Sequence, residues 1–274
     1  METKEQLLEE LESIKRWEND QKGLWIWDKL ARLPFAFLDR MTPSFIQKRI
    51  GALLDEIGYY IQSGGKYLTQ QRGTLKKLER NAGMPVHAIE DVTSIPLRAM
   101  DETALSIQKT HASAATVQGA TTGVGGFLTL AVDIPATLAI SLKTLQEIAV
   151  SYGYDPNERE ERIFIIKCLQ FTSSDVVGKK AILQELSDYT NRSNNKQIIS
   201  HLQGWREVVL GYREQYGFKK LFRLVPIVGI VFGAISNRSM IEDIADAGMM
   251  LYRKRRILER MISLDAKNES ENRL

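Results

Sequence analysis

The chain has 274 residues, of which 43% are hydrophobic and 26% charged, proportions ordinary for a soluble globular protein that exclude a chain embedded throughout in a bilayer. The net charge of +3 is unevenly spread: residues 1–20 hold seven acids against three bases, while Lys219, Lys220, Arg223 and the run Arg253-Lys254-Arg255-Arg256 lie in the last quarter, which points to anionic partners for the basic end. The single cysteine, Cys168, excludes an internal disulfide and fits a reducing compartment, and an acidic start with no apolar run directly behind it is the opposite of a secretory signal.

Leu7, Leu8, Leu11, Ile14 and Trp17 fall on one face of a helical wheel, so residues 3–18 are expected to form an amphipathic helix with an acidic outer side. Residues 24–38 follow, combining Trp25, Trp27, Phe35 and Phe37 with Lys22, Lys29, Arg32 and Arg40. Aromatic rings among cations suit a water–lipid interface, although aromatics at helical spacing are more often core. Thr42 is a good N-cap and Pro43 a good first helical residue. The helix they open carries Ile46, Ile50, Leu53, Leu54, Ile57 and Ile61 inward and stops at Gly64-Gly65. Residues 66–83 are basic, with Lys66, Arg72, Lys76, Lys77 and Arg80 offset by Glu79 alone; such a run is usually a solvated face.

The centre of the chain is residues 112–151. Ala115, Gly119 and Gly123 recur every four residues, and with Gly126 they form a smooth small-residue ridge against which another backbone can lie closely. From Thr110 to Val132 there are 23 residues without formal charge if His111 is neutral, long enough to ask whether the segment enters a bilayer. Its small-residue composition weakens that drive, and Asp133 would cost about 2.5–3.5 kcal/mol at a membrane centre. A central helical hairpin is expected instead, bent or restarted at Pro135.

Tyr152-Gly153-Tyr154 closes the hairpin, with Asp155 as N-cap, Pro156 in the first turn and Glu158 completing a capping box for the next helix. That helix is largely buried through Ile163, Ile165, Ile166 and Leu169. Further helices are expected over 174–190 and 197–215. The second apolar stretch, Leu224–Ser236, contains Gly229 and Gly233 at ridge spacing. Its uncharged part spans about 21 Å as a helix, too short to cross about 30 Å of hydrocarbon, so it is read as a core helix or a re-entrant segment. From Asn237 a long amphipathic helix places Ile241, Ile244, Gly248, Leu251, Leu258 and Ile262 on a seam interrupted by Arg255, followed by a mobile polar tail from Asp265.

Little in the chain carries chemistry. There is no G-x-S-x-G, H-E-x-x-H or C-x-x-C, and Gly64-Gly65-Lys66 precedes Tyr67 rather than the Ser or Thr of a phosphate loop. Gly123-Val-Gly125-Gly126 imitates a dinucleotide turn only superficially, since no β-branched strand precedes it. His87, His111 and His201 are scattered and none has a second ligand at i+3 or i+4, which argues against zinc. Neither a metal nor a cofactor is expected. Cys168 reads as an inert buried thiol. Asp133, between Val132 and Ile134, must be solvated, paired or neutral; pairing with Arg223 or Arg238 is favoured over catalysis. The run Arg253–Arg256 covers most of one helical turn and is a solvated surface or a phosphate-binding patch, with lipid preferred to nucleic acid because no base-reading module accompanies it.

Two separated motifs carry a family resemblance. G-V-G-G-F-L-T-L-A-V-D-I-P-A-T at 123–137, the Tyr152-Gly153-Tyr154-Asp155 exit, and V-P-I-V-G-I-V-F-G-A-I-S-N at 225–237 resemble the EcsC family of bacterial proteins over about residues 45–260. The resemblance implies a setting beside an ABC transporter, because the founding member is encoded next to an ATPase and a permease. It implies no catalytic residues, since no reaction is established for the family.

The expected protein is therefore an all-α multi-helix bundle around a glycine-rich hairpin, without substantial sheet. Residues 1–41 form an amphipathic and aromatic extension, 42–264 the EcsC-like helical domain, and 265–274 the tail. Its expected role is that of a non-enzymatic accessory protein, cytoplasmic and peripheral to the inner face of the membrane. Anionic lipid is the expected partner, together with an ABC transporter or other membrane protein. The alternatives are a peptidase-like hydrolase using Asp133, perceptible as a pocket joining it to His111 or a metal, and a lipid-binding module whose cavity the glycine ridges line.

Overall fold

A computed structural model describes residues 2–21, 55–122, 130–174, 176–190 and 237–271. All the regular structure among the described residues is helical. Helix α1 is Lys4–Asp20, α2 covers 55–63, α3 is Arg72–Ala82, α4 is Leu97–Thr122, α5 is Leu130–Ser151, α6 is Arg159–Ser173, α7 is Val176–Thr190 and α8 is Asn237–Glu271. Short 3-10 segments at Gly65–Tyr67 and Ile89–Ser94 join α2 to α3 and α3 to α4.

Local chemistry explains the boundaries. Thr3 caps α1 by accepting from the Gln6 N–H, and the Gln6 side chain accepts from the Thr3 N–H in return, so two of the orphan donors at a helix start are satisfied reciprocally. α2 ends where Gly64 and Gly65 adopt φ of +72° and +51°, a conformation L side chains rarely tolerate. The expected cap of α6 is different. Asp155 accepts the N–H of Asn157 at 2.8 Å, and its carbonyl accepts from Glu158, so a turn forms first and the helix starts at Arg159 after Glu158. An aspartate that can close a local turn competes with its own capping role. α5 runs on through Pro135 rather than restarting there, because a proline in the second turn removes a single backbone bond. α8 likewise continues to Glu271, beyond the expected end of the helix at Asp265.

The long helix α8 is the axis of the molecule, packing against α1, α4, α5, α6 and α7. α4 and α5 also pack on each other, and they run antiparallel: Asp101 of α4 meets Tyr152 just beyond the end of α5, and His111 meets Thr144. The two helices of the expected hairpin are thus paired, while the segment joining them, 123–129, lies outside the described residues. α3 packs on the pair from one side.

The core is continuous, from Leu7, Leu11 and Ile14 of α1 through Met100, Ile107, Leu138, Leu142 and Leu145 to Ile163, Leu169, Ile241 and Tyr252. Leu8, expected on the buried face of α1, is 43% exposed. Close approach of α5 and α8 is set by Gly248, where a Cβ would lie 2.6 Å from Cδ2 of Leu145. Ile262, expected on the seam of α8, is 62% exposed, and the inward positions beyond Leu251 are Tyr252, Arg256, Ile257 and Arg260. No described helix is long and apolar enough to cross a membrane.

Candidate functional site

The Tyr152-Gly153-Tyr154-Asp155 exit and the basic run on α8 meet in space. At the end of α5 the Tyr154 N–H donates to the Ala149 carbonyl and the Gly153 N–H to the Val150 carbonyl, with Gly153 at φ +83°. This is the glycine-terminated helix end in which the carbonyls of the penultimate turn are satisfied by the chain that follows. The Tyr152 carbonyl is left over. Arg256 takes it, donating from Nε at 2.8 Å and Nη2 at 2.6 Å, with a longer contact from Nη2 to the Gly153 carbonyl. The glycine is required twice, since a Cβ there would also lie 2.8 Å from Arg256 Nη2.

The neighbours of Arg256 are committed in the same way. Arg255 donates to the fully buried Glu161 at 2.7 Å, which also accepts from the Tyr252 hydroxyl. The Arg255 guanidinium lies 3.9 Å from the centroid of Tyr154, and Arg256 lies 4.6 Å from the same ring. Arg253 bridges Asp101 of α4 and Glu10 of α1, and Asp101 also accepts from the Tyr152 hydroxyl at 2.6 Å. Lys254 pairs with Glu18 of α1 at 2.6 Å. Burial pushes the carboxyls of Glu161 and Asp101 above their usual range, against the pull of Arg255 and of Tyr152 with Arg253. Burial likewise raises the hydroxyls of Tyr152, Tyr154 and Tyr252 and the thiol of Cys168, leaving none of them suited to act as a base or nucleophile near neutrality.

These contacts correct the expectation for Arg253, Lys254, Arg255 and Arg256 as a lipid-facing patch. Their side chains are only 7–22% exposed, and all four are held by acids or carbonyls of the same chain. Two other buried arginines work similarly. Arg162 joins the Ile61 and Gln62 carbonyls at the end of α2 to the Asn157 carbonyl. Arg260 pairs with Glu2 and donates to the Thr93 and Ile95 carbonyls. A guanidinium has five donors in a fixed fork, which suits it to the clustered acceptors at chain reversals.

A second polar group lies between α4 and α5. His111 Nδ1 is 2.8 Å from the Thr144 hydroxyl, and Nε2 is 3.3 Å from Glu147. Although burial opposes it, the hydrogen bond and charge of His111, together with Lys77 and Lys143, hold the Glu147 carboxyl below its usual value. Asp133, the candidate catalytic residue, sits on α5 eleven residues before Thr144, about 16 Å along a helix. The hydrolase alternative joins Asp133 to His111, but both ring nitrogens of His111 already have neighbours further along α5.

Of the other expected site residues, Ala115 is buried on α4 and Gly119 lies in the same helix. Gly123, Gly126, Gly229 and Gly233 lie outside the described residues, as do Trp25, Trp27, Phe35, Phe37, Lys29 and Arg32. A cavity of about 20 Å³ lined by Glu18, Phe164, Leu183, Leu186, Leu251 and Lys254 has room for roughly one water.

Tyr152, Gly153 and Arg256, the clamp at the end of α5, fall within the segment matched by the sequence model of the EcsC protein family, residues 8–257. The chain belongs to the EcsC family. It is 56% identical over 261 residues to "Uncharacterized protein YdbA" of Bacillus subtilis (strain 168), covering 95% of this chain and 96% of that one. It is 26% identical over 170 residues to "Protein EcsC" of the same organism, covering 62% and 69% respectively. No solved structure matches. In this EcsC-family chain the Tyr-Gly-Tyr-Asp exit is thus a helix end locked by arginine, a role that a sequence motif alone does not reveal.

Proposed function

We propose that this EcsC-family protein is a non-enzymatic accessory that attaches peripherally to the inner face of the cell membrane and works beside a membrane transporter. One observation carries the reading: α1 is pinned to the helical body. Leu7, Leu11 and Ile14 are buried, and Glu2, Glu10 and Glu18 are held by Arg260, Arg253 and Lys254 of α8. The aromatic and basic stretch Lys22–Arg40 therefore follows an anchored helix. A membrane contact made by Trp25, Trp27, Phe35 and Phe37 would bring the whole body to the bilayer. The buried charges support the non-enzymatic half, because their partners are fixed and intramolecular.

Co-sedimentation of the full chain with lipid vesicles tests this. The protein is expected to sediment with anionic but not neutral vesicles, and recovery should fall as salt screens the attraction. The double variant Trp25→Ala/Trp27→Ala should bind more weakly while keeping its helical circular dichroism. Equal recovery on neutral and anionic vesicles would remove the electrostatic part of the reading.

A further inference from the structure

With Arg253–Arg256 committed internally, α3 carries an exposed cationic stripe among the described residues. Arg72, Lys76 and Arg80 are exposed and spaced four residues apart, a stripe about 12 Å long on one side of the helix. None of the three, nor Lys77 beside them, has an ion pair among the described residues; Lys77 lies near enough to Glu147 to act on it electrostatically. The opposite side of α3 is buried through Thr74, Leu75 and Leu78, and the helix packs against α4 and α5, so the stripe faces away from the body. Glu79 is the single acid on the helix.

Three large apolar side chains in the segments before and after α3 are exposed. Leu68 is 37% exposed just before α3 and Met84 39% exposed just after it. Tyr59 is 60% exposed, its ring lying over Gly65 in the turn that leads to α3. We propose that this face of α3, together with the exposed Tyr59, Leu68 and Met84 of the segments that flank the helix in sequence, is the surface that meets an anionic bilayer. Cations at headgroup level with exposed apolar side chains on the flanking segments match an interfacial contact. A nucleic-acid surface draws on a longer basic track and aromatic stacking platforms. The proposal rests on the membrane reading above and places its electrostatic part on α3.

The test uses the full chain and vesicles of phosphatidylglycerol mixed with phosphatidylcholine, with phosphatidylcholine alone for comparison. Arg72→Gln/Lys76→Gln/Arg80→Gln is compared with Lys15→Gln/Arg16→Gln/Lys267→Gln, which removes the same charge from exposed positions on α1 and α8. At about fivefold per cation near the surface, the α3 variant should lose about 100-fold in vesicle affinity, and the control only a few-fold. Tyr59→Ser should weaken binding without changing net charge. Equal losses in the two triple variants would overturn the proposal in favour of diffuse charge. Unchanged binding of the α3 variant would overturn it while leaving the membrane reading standing. Failure of the wild type to bind either vesicle would remove both. Tighter wild-type binding to a short DNA duplex than to the anionic vesicles, lost in the α3 variant, would make the face a nucleic-acid surface and overturn the lipid assignment.

Discussion

Arg256→Met is the sharpest probe of the clamp, because it keeps a long side chain and removes the donors. In the folded protein the Tyr152 carbonyl accepts only from Arg256 among its described side-chain partners, through two bonds, and the Arg256 side chain is 7% exposed. A buried carbonyl left without a donor costs about 1–3 kcal/mol. Loss of the guanidinium over the Tyr154 ring adds about 0.5–2 kcal/mol. The Glu259 contact adds little, since that carboxylate is partly exposed and also pairs with Arg255. The sum centres on about 3 kcal/mol, which in a chain of this length lowers Tm by about 6–12 °C. Arg256→Lys retains the charge but not the planar fork, so it should fall between wild type and Arg256→Met. Urea unfolding followed by circular dichroism measures all three, with Arg98→Gln as control. Arg98 is 89% exposed and its ion pair among the described residues is with Glu102, four residues on, so its loss should not move the midpoint. If Arg256→Met unfolds at the same urea concentration as Arg98→Gln, the arginine–carbonyl contacts carry no stability and the clamp is wrong.

Three further outcomes are expected from the same assay. Gly153→Ala forces a side chain into φ +83° against Arg256 and Val92 and should cost about 1–3 kcal/mol, whereas Gly73→Ala, with open space around it on α3, should gain about 0.5–1 kcal/mol; similar midpoints for the two would refute the distinction. Gly248→Val should overpack the α5–α8 contact by about 1–3 kcal/mol, because the Leu145 side chain it meets is itself fully buried; an unchanged midpoint would mean that the helices separate freely. Glu147 is held below its usual value of 4.5, so its contribution is present above that pH and lost as pH falls through the lower folded value. Glu147→Gln should therefore cost about 1.5–3 kcal/mol at neutral pH and progressively less under acid. A cost independent of pH would show that the ionised carboxylate is not what matters.

Much of the helical layout was legible, and the reasons are local. The three-four spacing of Leu7, Leu11 and Ile14 requires α1 to bury that face, and it does. The glycines at 64, 65 and 153 sit where the chain adopts positive φ, a role no other residue type fills easily. Asp155 shows the limit of such signals. The same carboxylate serves an N-cap or a local turn, and which one forms depends on whether Asn157 can reach it. Gly248 was legible as a seam position but not as the point of closest approach, because that depends on Leu145, more than a hundred residues away.

The basic run is the more instructive failure, and its cause is geometric. Four consecutive residues on a helix span about 300° of azimuth, so a run is a surface patch only if the helix is open on most sides. α8 is not: it packs against α1, α4, α5, α6 and α7. Whatever charges occupy residues 253–256 must point into neighbours, and the chain supplies Glu10, Glu18, Asp101, Glu161 and the Tyr152 carbonyl at the places where they arrive. α3 presents the reverse case. It packs on α4 and α5 along one side, and its cations are spaced every four residues instead of consecutively, so they keep to the side that is open. A consecutive run looks denser in sequence than a four-spaced stripe, yet on a helix only the stripe gathers its charge onto one face. Charge density along the chain therefore pointed to α8, whereas charge density in space points to α3.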